Sequence, residues 1–240
     1  MLLMTINHEV EMQRSYYAET AAQYDGMHLN EKDEHYFALT FMVAALEHFQ
    51  IRSILDIGSG TGRVLRHLKM HCPDIRIVGV EPVSELRDIG YGNGLTKLDL
   101  IEGDATMLDF GTDEFDLVCE FGVLHHIRNP EIAISEMLRV ANKAIFISDA
   151  NNFGQGSPFT RLVKQWLNLV GLWKFADLVK TNGKGYSITA GDGLAYSYSV
   201  FTNYKQISRQ CRRVHLLNTK DGSINPYKTA SHVALLGIKD

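Results

Sequence analysis

Ile54-Leu55-Asp56-Ile57-Gly58-Ser59-Gly60-Thr61-Gly62-Arg63 is the stretch that decides how this chain is read. Ser53 to Ile57 is a short apolar run of the kind that forms a buried strand in a parallel sheet. Glycines then stand at alternate positions, and Val64, Leu65 and Leu68 recur at helical spacing. The order is strand, tight glycine turn, helix. Glycine admits positive φ and lets a ligand lie against bare backbone, while a new helix N-terminus offers free N–H donors. Such a turn suits a nucleoside-bearing ligand at the carboxyl edge of a sheet.

The spacing narrows the ligand. A dinucleotide fingerprint needs glycine three positions after Gly60, where Arg63 stands, and a P-loop needs a Gly-Lys-Ser/Thr triplet that does not follow. Asp56-x-Gly58-x-Gly60-x-Gly62 instead resembles the first motif of class I S-adenosylmethionine-dependent methyltransferases of the small-molecule type. The resemblance implies an α/β fold, a doubly wound, seven-stranded, mostly parallel Rossmann-like sheet. It also implies that Asp56, Gly58, Ser59, Gly60 and Gly62 contact S-adenosylmethionine. A glycine-rich loop alone is often only a turn or a helix cap, so the residues downstream decide.

Those residues follow in order. Ile75 to Val80 reads as the next strand and ends at Glu81-Pro82, about 20 residues past Gly60. A carboxylate at such a tip can accept two hydrogen bonds from vicinal ribose hydroxyls. Val83 to Thr96 holds Gly90, Gly92 and Gly94, which is poor helix material, so a short crossover helix is expected. Leu98 to Ala105 supplies a third strand and the triplet Gly103-Asp104-Ala105, which resembles the family's adenine-binding motif. There Asp104 would accept from the adenine amino group and the Ala105 N–H would meet a ring nitrogen. Phe115 to Phe121 is the fourth strand, and Glu120 and Phe121 at its tip join the expected cofactor contacts. Val123-Leu124-His125-His126 with Pro130 resembles the family's segment after strand four. Asn129-Pro130 predicts a capped helix to Val140, followed by a fifth strand from Lys143 to Asp149. Right-handed crossovers place every acidic tip on one edge.

The flanking segments are expected to elaborate this core. Residues 9–50 predict two helices, one stopping at Gly26 and one running from Glu31 to Phe49. Tyr24-Asp25 resembles the A-x-x-Y-D segment that precedes the first motif, which implies a lid with Tyr24 on the cofactor and Tyr16 toward the substrate. Ser157 to Lys180 is rich in apolar residues. It is open to three readings: core packing, a substrate cap, or a membrane-surface helix with Arg161, Lys164, Lys174 and Lys180 on its polar side. Ala190 to Gly193 predicts a hairpin turn, and Tyr186, Tyr196 and Tyr198 would line a cap. The expected organisation is a lid over 1–50, a cofactor-binding core over 51–150, an inserted helix and hairpin over 151–202, and a helix and β-hairpin over 203–240.

Composition sets outer bounds. The 240 residues are 45% hydrophobic and 22% charged, ordinary for a globular protein, and the net charge of −4 argues against a broad nucleic-acid surface. Three widely spaced cysteines without C-x-x-C suggest neither a disulfide framework nor zinc. With no targeting segment or membrane-spanning run read in it, the chain is expected to be cytoplasmic, without stable membrane insertion. A homodimer is compatible with the sequence.

Methyl transfer requires alignment above all, and a hydroxyl acceptor must also lose its proton to a base. The sequence offers His126 as that base, Asp149 as its orienter and His125 as the alternative, although adjacent histidines before a helix can equally serve backbone carbonyls. Glu120, His125 and His126 could hold a divalent metal, as in some quinone-pathway relatives, but the glutamates used there are not matched at Gly122 and His125, so no metal is expected. The resemblance implies an S-adenosylmethionine-dependent methyltransferase acting on a small molecule, most readily a hydroxyl of a sugar or other metabolite. A non-catalytic subunit built on the same fold is the alternative, and Arg63 opposes a nicotinamide oxidoreductase.

Overall fold

Apolar runs in the first part of the chain become five parallel strands in a computed structural model, which describes residues 2–30 and 32–239, with side chains from residue 8 onward. They are β1 (Ser53–Ile57), β2 (Arg76–Val80), β3 (Leu100–Ile101), β4 (Phe115–Phe121) and β5 (Ala141–Ala150). A separate hairpin pairs β6 (Tyr186–Thr189) with β7 (Gly193–Tyr196). β8 (Arg213–Lys220) and β9 (His232–Ile238) complete the main sheet, whose order is β3-β2-β1-β4-β5-β9-β8. β9 runs antiparallel to β5, so the sheet is the seven-stranded, doubly wound one expected. The order reverses beside β1, which puts the carboxyl ends of β1 and β4 at the crevice where such sheets hold ligands.

Both faces of the sheet are covered. On one lie α3 (Glu34–Leu46) and α4 (Arg63–His71), which bury Ala38, Leu39, Met42, Val64, Leu65 and Leu68 against Phe146. On the other, α6 (Pro130–Val140) buries Ile134, Met137 and Leu138 against Phe115 and Ile145. Each of these Val, Leu, Ile, Met and Phe side chains contributes about 1.5–3 kcal/mol by leaving water. α5 (Ser84–Gly92) is short, as its glycines predict. A Cβ on Gly90 would lie 2.7 Å from Leu100 and 3.2 Å from the Thr61 carbonyl, so glycine lets this helix press against the turn after β1.

Several local expectations are corrected. Gly26 does not stop a helix: α1 (Leu2–Thr20) passes through a single 3-10 turn into α2 (Tyr24–His28), which contains it. The expected start of the next helix at Glu31 lies outside the described residues, and α3 begins three residues later behind the Asp33 cap, whose side chain accepts from the Tyr36 N–H. Asn129 precedes α6 but its side chain makes no cap bond, leaving Pro130 to set the first turn. The third strand is only two residues long, because Gly103 and the Asp104 turn leave the ladder early. The apolar stretch after β5 forms two helices, α7 (Pro158–Leu169) and α8 (Trp173–Lys180), and it does not pack as core: most of its large apolar side chains are exposed. α9 (Tyr204–Ser208) and α10 (Pro226–Thr229) close the chain around β8. No helix among the described residues is long and apolar enough to cross a membrane.

Candidate cofactor and substrate site

The turn after β1 is built on backbone that favours glycine. Gly58, Gly60 and Gly62 have φ of 64°, 56° and 82°. A Cβ on Gly58 would run into Val123, and one on Gly60 would lie 2.5 Å from the Tyr24 hydroxyl. Gly62 serves packing instead, since a Cβ there would collide with Leu95. Beside the turn opens a cavity of about 540 Å³, lined among others by Tyr24, Gly58, Glu81, Asp104, Phe121 and His126. Pro82 and Ala105 also border it.

The acidic tips converge on this crevice. Glu81, 5% exposed, accepts from the Gly60 N–H at 2.9 Å and the Val83 N–H at 3.0 Å. Burial pushes its carboxyl above the ordinary value, with those two N–H groups pulling the other way. Asp56 is buried at the end of β1; burial pushes its carboxyl up to about 7, and Oδ2 has no hydrogen-bond partner. Asp104 accepts from the Thr106 N–H at 2.8 Å and pairs with Arg14 of α1 at 2.6 Å. Glu120 behaves differently from its expected role. It is fully buried, accepts the Val123 N–H at 2.8 Å and borders none of the three cavities described here, so it braces the turn after β4.

A second cavity of about 610 Å³ lies on the other side of the histidine pair. His28, His35, His125, Asp192, Tyr198 and His232 contribute to its wall. A throat of about 90 Å³ shares Tyr24, Gly58 and Phe121 with the first cavity and His125 and Asp192 with the second. His125 therefore stands where the two spaces meet.

The structure reassigns the partners of the histidines. Asp149, fully buried on β5, bonds His125 Nδ1 at 2.7 Å and does not orient His126, because the turn after β4 directs the first ring of the pair toward β5. Asp192 of the β6–β7 turn faces His125 Nε2 at 3.3 Å. Burial alone would lower the His125 pKa, but Asp149 and Asp192 outweigh it and raise it well above the usual value. Burial would likewise raise Asp149, yet the adjacent imidazolium holds it down at about 2. Asp192 also lies 3.4 Å from His126 Nε2, which is 3.0 Å from the Tyr17 hydroxyl, and His126 Nδ1 lies 2.7 Å from the Leu194 carbonyl. Burial and the charge of His125 lower its pKa. An Nδ1–H donated to Leu194 leaves Nε2 to accept from Tyr17, whose own pKa burial raises well above normal. His125, His126 and Asp192 offer ligand atoms within 4.8 Å of one another.

Residues of the N-terminal helices and the hairpin close over the crevice. Gln13 accepts from the Leu194 N–H at 2.5 Å, and Glu9 pairs with Arg128 and accepts from the Tyr196 hydroxyl at 2.7 Å. Of the four tyrosines expected toward substrate, Tyr196 and Tyr198 border the second cavity. Tyr16 is tied to the Ala190 carbonyl at 2.8 Å and Tyr186 packs on Tyr196, and neither borders the cavities described here. Sequence reasoning missed Asp192, Arg14, Gln13 and His35. Asp192 sits in a Gly-Asp-Gly turn whose residues are explained by turn chemistry alone.

Comparison with known proteins agrees with this geometry. The sequence model of a family described as a methyltransferase domain matches residues 55–146. An uncharacterised methyltransferase of Schizosaccharomyces pombe is 29% identical over 105 residues, covering 39% of this chain and 37% of that protein. A demethylmenaquinone methyltransferase of Porphyromonas gingivalis is 26% identical over 107 residues, covering 42% and 44%. The match thus spans less than half the length of either curated relative. Among solved structures, an S-adenosylmethionine-dependent methyltransferase of Thermotoga maritima, described as a possible histamine N-methyltransferase, superposes with a TM-score of 0.57 at 16% identity, covering 95% of this chain and 100% of that one. A phosphoethanolamine N-methyltransferase of Haemonchus contortus, solved with phosphomonomethylethanolamine and S-adenosylhomocysteine, gives 0.54 at 13% identity, covering 83% and 52%. Residues 55–146 thus match a methyltransferase domain, and the whole chain has the fold of the class I S-adenosylmethionine-dependent methyltransferases.

Proposed function

We propose that this protein transfers a methyl group from S-adenosylmethionine to a hydroxyl of a small-molecule acceptor, with His125 as the base and Asp149 as its orienter. The observation that carries this reading is the His125–Asp149 pair at the throat between the two cavities. The residues of the 540 Å³ cavity suit the cofactor. Glu81 would meet the ribose hydroxyls, while Asp104 and Ala105 would meet the adenine, with Pro82, Val83 and Leu86 as apolar walls. The unpartnered, buried Oδ2 of Asp56 would meet the amino group of the methionine portion. When bound, S-adenosylmethionine supplies a methyl carbon made electrophilic by its sulfonium.

The protein's part is alignment, exclusion of water and movement of one proton. Tyr24, Phe121 and Gly122 wall the throat. The second cavity carries the side chains of His35, Asn152, Gln155, Ser197 and His232, a polar lining that favours a hydroxyl-rich acceptor such as a sugar. At rest His125 is charged between two carboxylates and cannot accept a proton. Movement of Asp192 away with its hairpin turn removes one of them, and the Nε2 proton leaves to that carboxylate or to water, so the neutral ring presents a bare Nε2. The acceptor hydroxyl then gives its proton to Nε2 as its oxygen takes the methyl group, and Asp149 stabilises the imidazolium formed. Burial and the charge of His125 keep His126 neutral, and Tyr17 and the Leu194 carbonyl fix its ring, so His126 acts as a wall and brace.

The test is turnover on an acceptor found by labelling metabolite extracts with methyl-labelled cofactor. His125→Ala should lose roughly 10²–10⁴ in kcat while binding S-adenosylmethionine as the wild type does. Undiminished turnover in His125→Ala would remove the base from the account and point to a nucleophile needing no deprotonation.

A further inference from the structure

The α7–α8 pair is built inside out. On α7 the polar side chains face the body of the protein. Arg161 donates to the Thr229 carbonyl at 3.2 Å, Lys164 to the Asn152 carbonyl, Gln165 to the Phe153 and Lys228 carbonyls at 3.0 Å each, and Asn168 to the Tyr227 hydroxyl at 3.1 Å. The apolar side chains consequently face away: Phe159 is 75% exposed, Trp166 57% and Leu169 84%, with Phe175 at 68% and Val179 at 63% on α8. A surface helix that serves the core carries the reverse pattern, and a contiguous exposed apolar face marks an interaction surface.

Charge decides the occupant. Residues 157–185 carry Arg161, Lys164, Lys174, Lys180 and Lys184 against Asp177 alone, in a chain whose net charge is −4. Asp177 is turned inward, where it accepts from Ser197, and Lys180 borders the second cavity, while Lys174 and Lys184 are exposed to solvent. A second copy set patch to patch would oppose like charges. A bilayer with anionic headgroups meets both features at once. Apolar side chains enter the boundary between headgroups and acyl chains, lysines pair with lipid phosphates, and the acidic remainder is held away from the surface. We propose that α7 and α8 seat this protein on the surface of an anionic lipid bilayer, lying in the interface without crossing it. The docking stands independently of the methyl-transfer reading.

The experiment is co-sedimentation of the full chain with unilamellar vesicles, either phosphatidylglycerol mixed with phosphatidylcholine or phosphatidylcholine alone, read together with tryptophan emission. The chain has two tryptophans, Trp166 and Trp173, and both lie in this segment, so emission reports on it directly. Binding to the anionic vesicles with a blue shift is expected, at least roughly tenfold weaker on neutral vesicles and weakened by salt. The double variant Trp166→Ser, Phe175→Ser should bind anionic vesicles at least roughly tenfold more weakly with an unchanged melting temperature, since both side chains are exposed. Equal binding to neutral and anionic vesicles, or none to either, would overturn the proposal. So would self-association in solution that the same double variant abolishes, which would assign the face to a second copy.

Discussion

Replacing Glu81 is a sharp test of where the cofactor lies. The carboxylate is 5% exposed, and its two oxygens already accept the Gly60 and Val83 N–H groups at 2.9 and 3.0 Å. A hydrogen bond to a charged group contributes about 1.5–3 kcal/mol, so losing the ribose contact should weaken binding roughly 10- to 150-fold. Glu81→Ala also strands two loop donors, at about 1–3 kcal/mol for each that stays unsatisfied, so its melting temperature should fall as well. Glu81→Gln keeps the shape and one acceptor oxygen, separating the two effects: weaker binding with most of the stability retained. Isothermal titration with S-adenosylhomocysteine, run beside thermal melts, reads both. If Glu81→Gln and Glu81→Ala both bind as tightly as the wild type, Glu81 is a loop brace and the adenosine does not lie against it.

Further outcomes follow from the same geometry. Asp149→Asn should lower kcat less than His125→Ala does, because it disturbs ring orientation but leaves the imidazole in place; an equal or larger loss would give Asp149 a role of its own. The stability difference between wild type and Asp149→Asn should vary with pH in two limbs. The contribution of His125 is full below its ordinary value of 6.5 and is lost as pH rises through its raised value. That of Asp149 is full above 3.8 and is lost as pH falls toward about 2. Melts across pH check this, and a difference that grows on the alkaline side would contradict it. Gly90→Val should cost about 1–3 kcal/mol in denaturant unfolding, because its side chain meets Leu100 and the Thr61 carbonyl; a neutral result would mean that α5 can shift.

Much of the fold was legible because its signals are local. Ser53–Ile57 and Phe115–Phe121 are apolar runs bounded by polar or glycine residues, and the strands match those bounds. The acidic tips Asp56, Glu81 and Asp104 could be found because each follows or ends such a run. What escaped was set by distance in space. Whether Asp149 meets His125 or His126 depends on how the turn after β4 rotates two neighbouring rings, which no spacing records. Asp192 reaches the site from a hairpin far along the chain. α7 has the same apolar periodicity whether it faces inward or outward. Only its bonds from Lys164 and Gln165 to the body decide which face is buried.

S-adenosylmethionine belongs in the crevice beside Gly58 and Gly60. Isothermal titration of the wild type and of Gly60→Val tests this placement most directly, because a side chain at Gly60 enters space bordered by the Tyr24 hydroxyl at 2.5 Å. The wild type should bind S-adenosylmethionine and S-adenosylhomocysteine saturably, without competition from NAD or ATP, and Gly60→Val should lose binding while still melting cooperatively. NAD binding of comparable strength, or S-adenosylmethionine binding untouched by Gly60→Val, would contradict it.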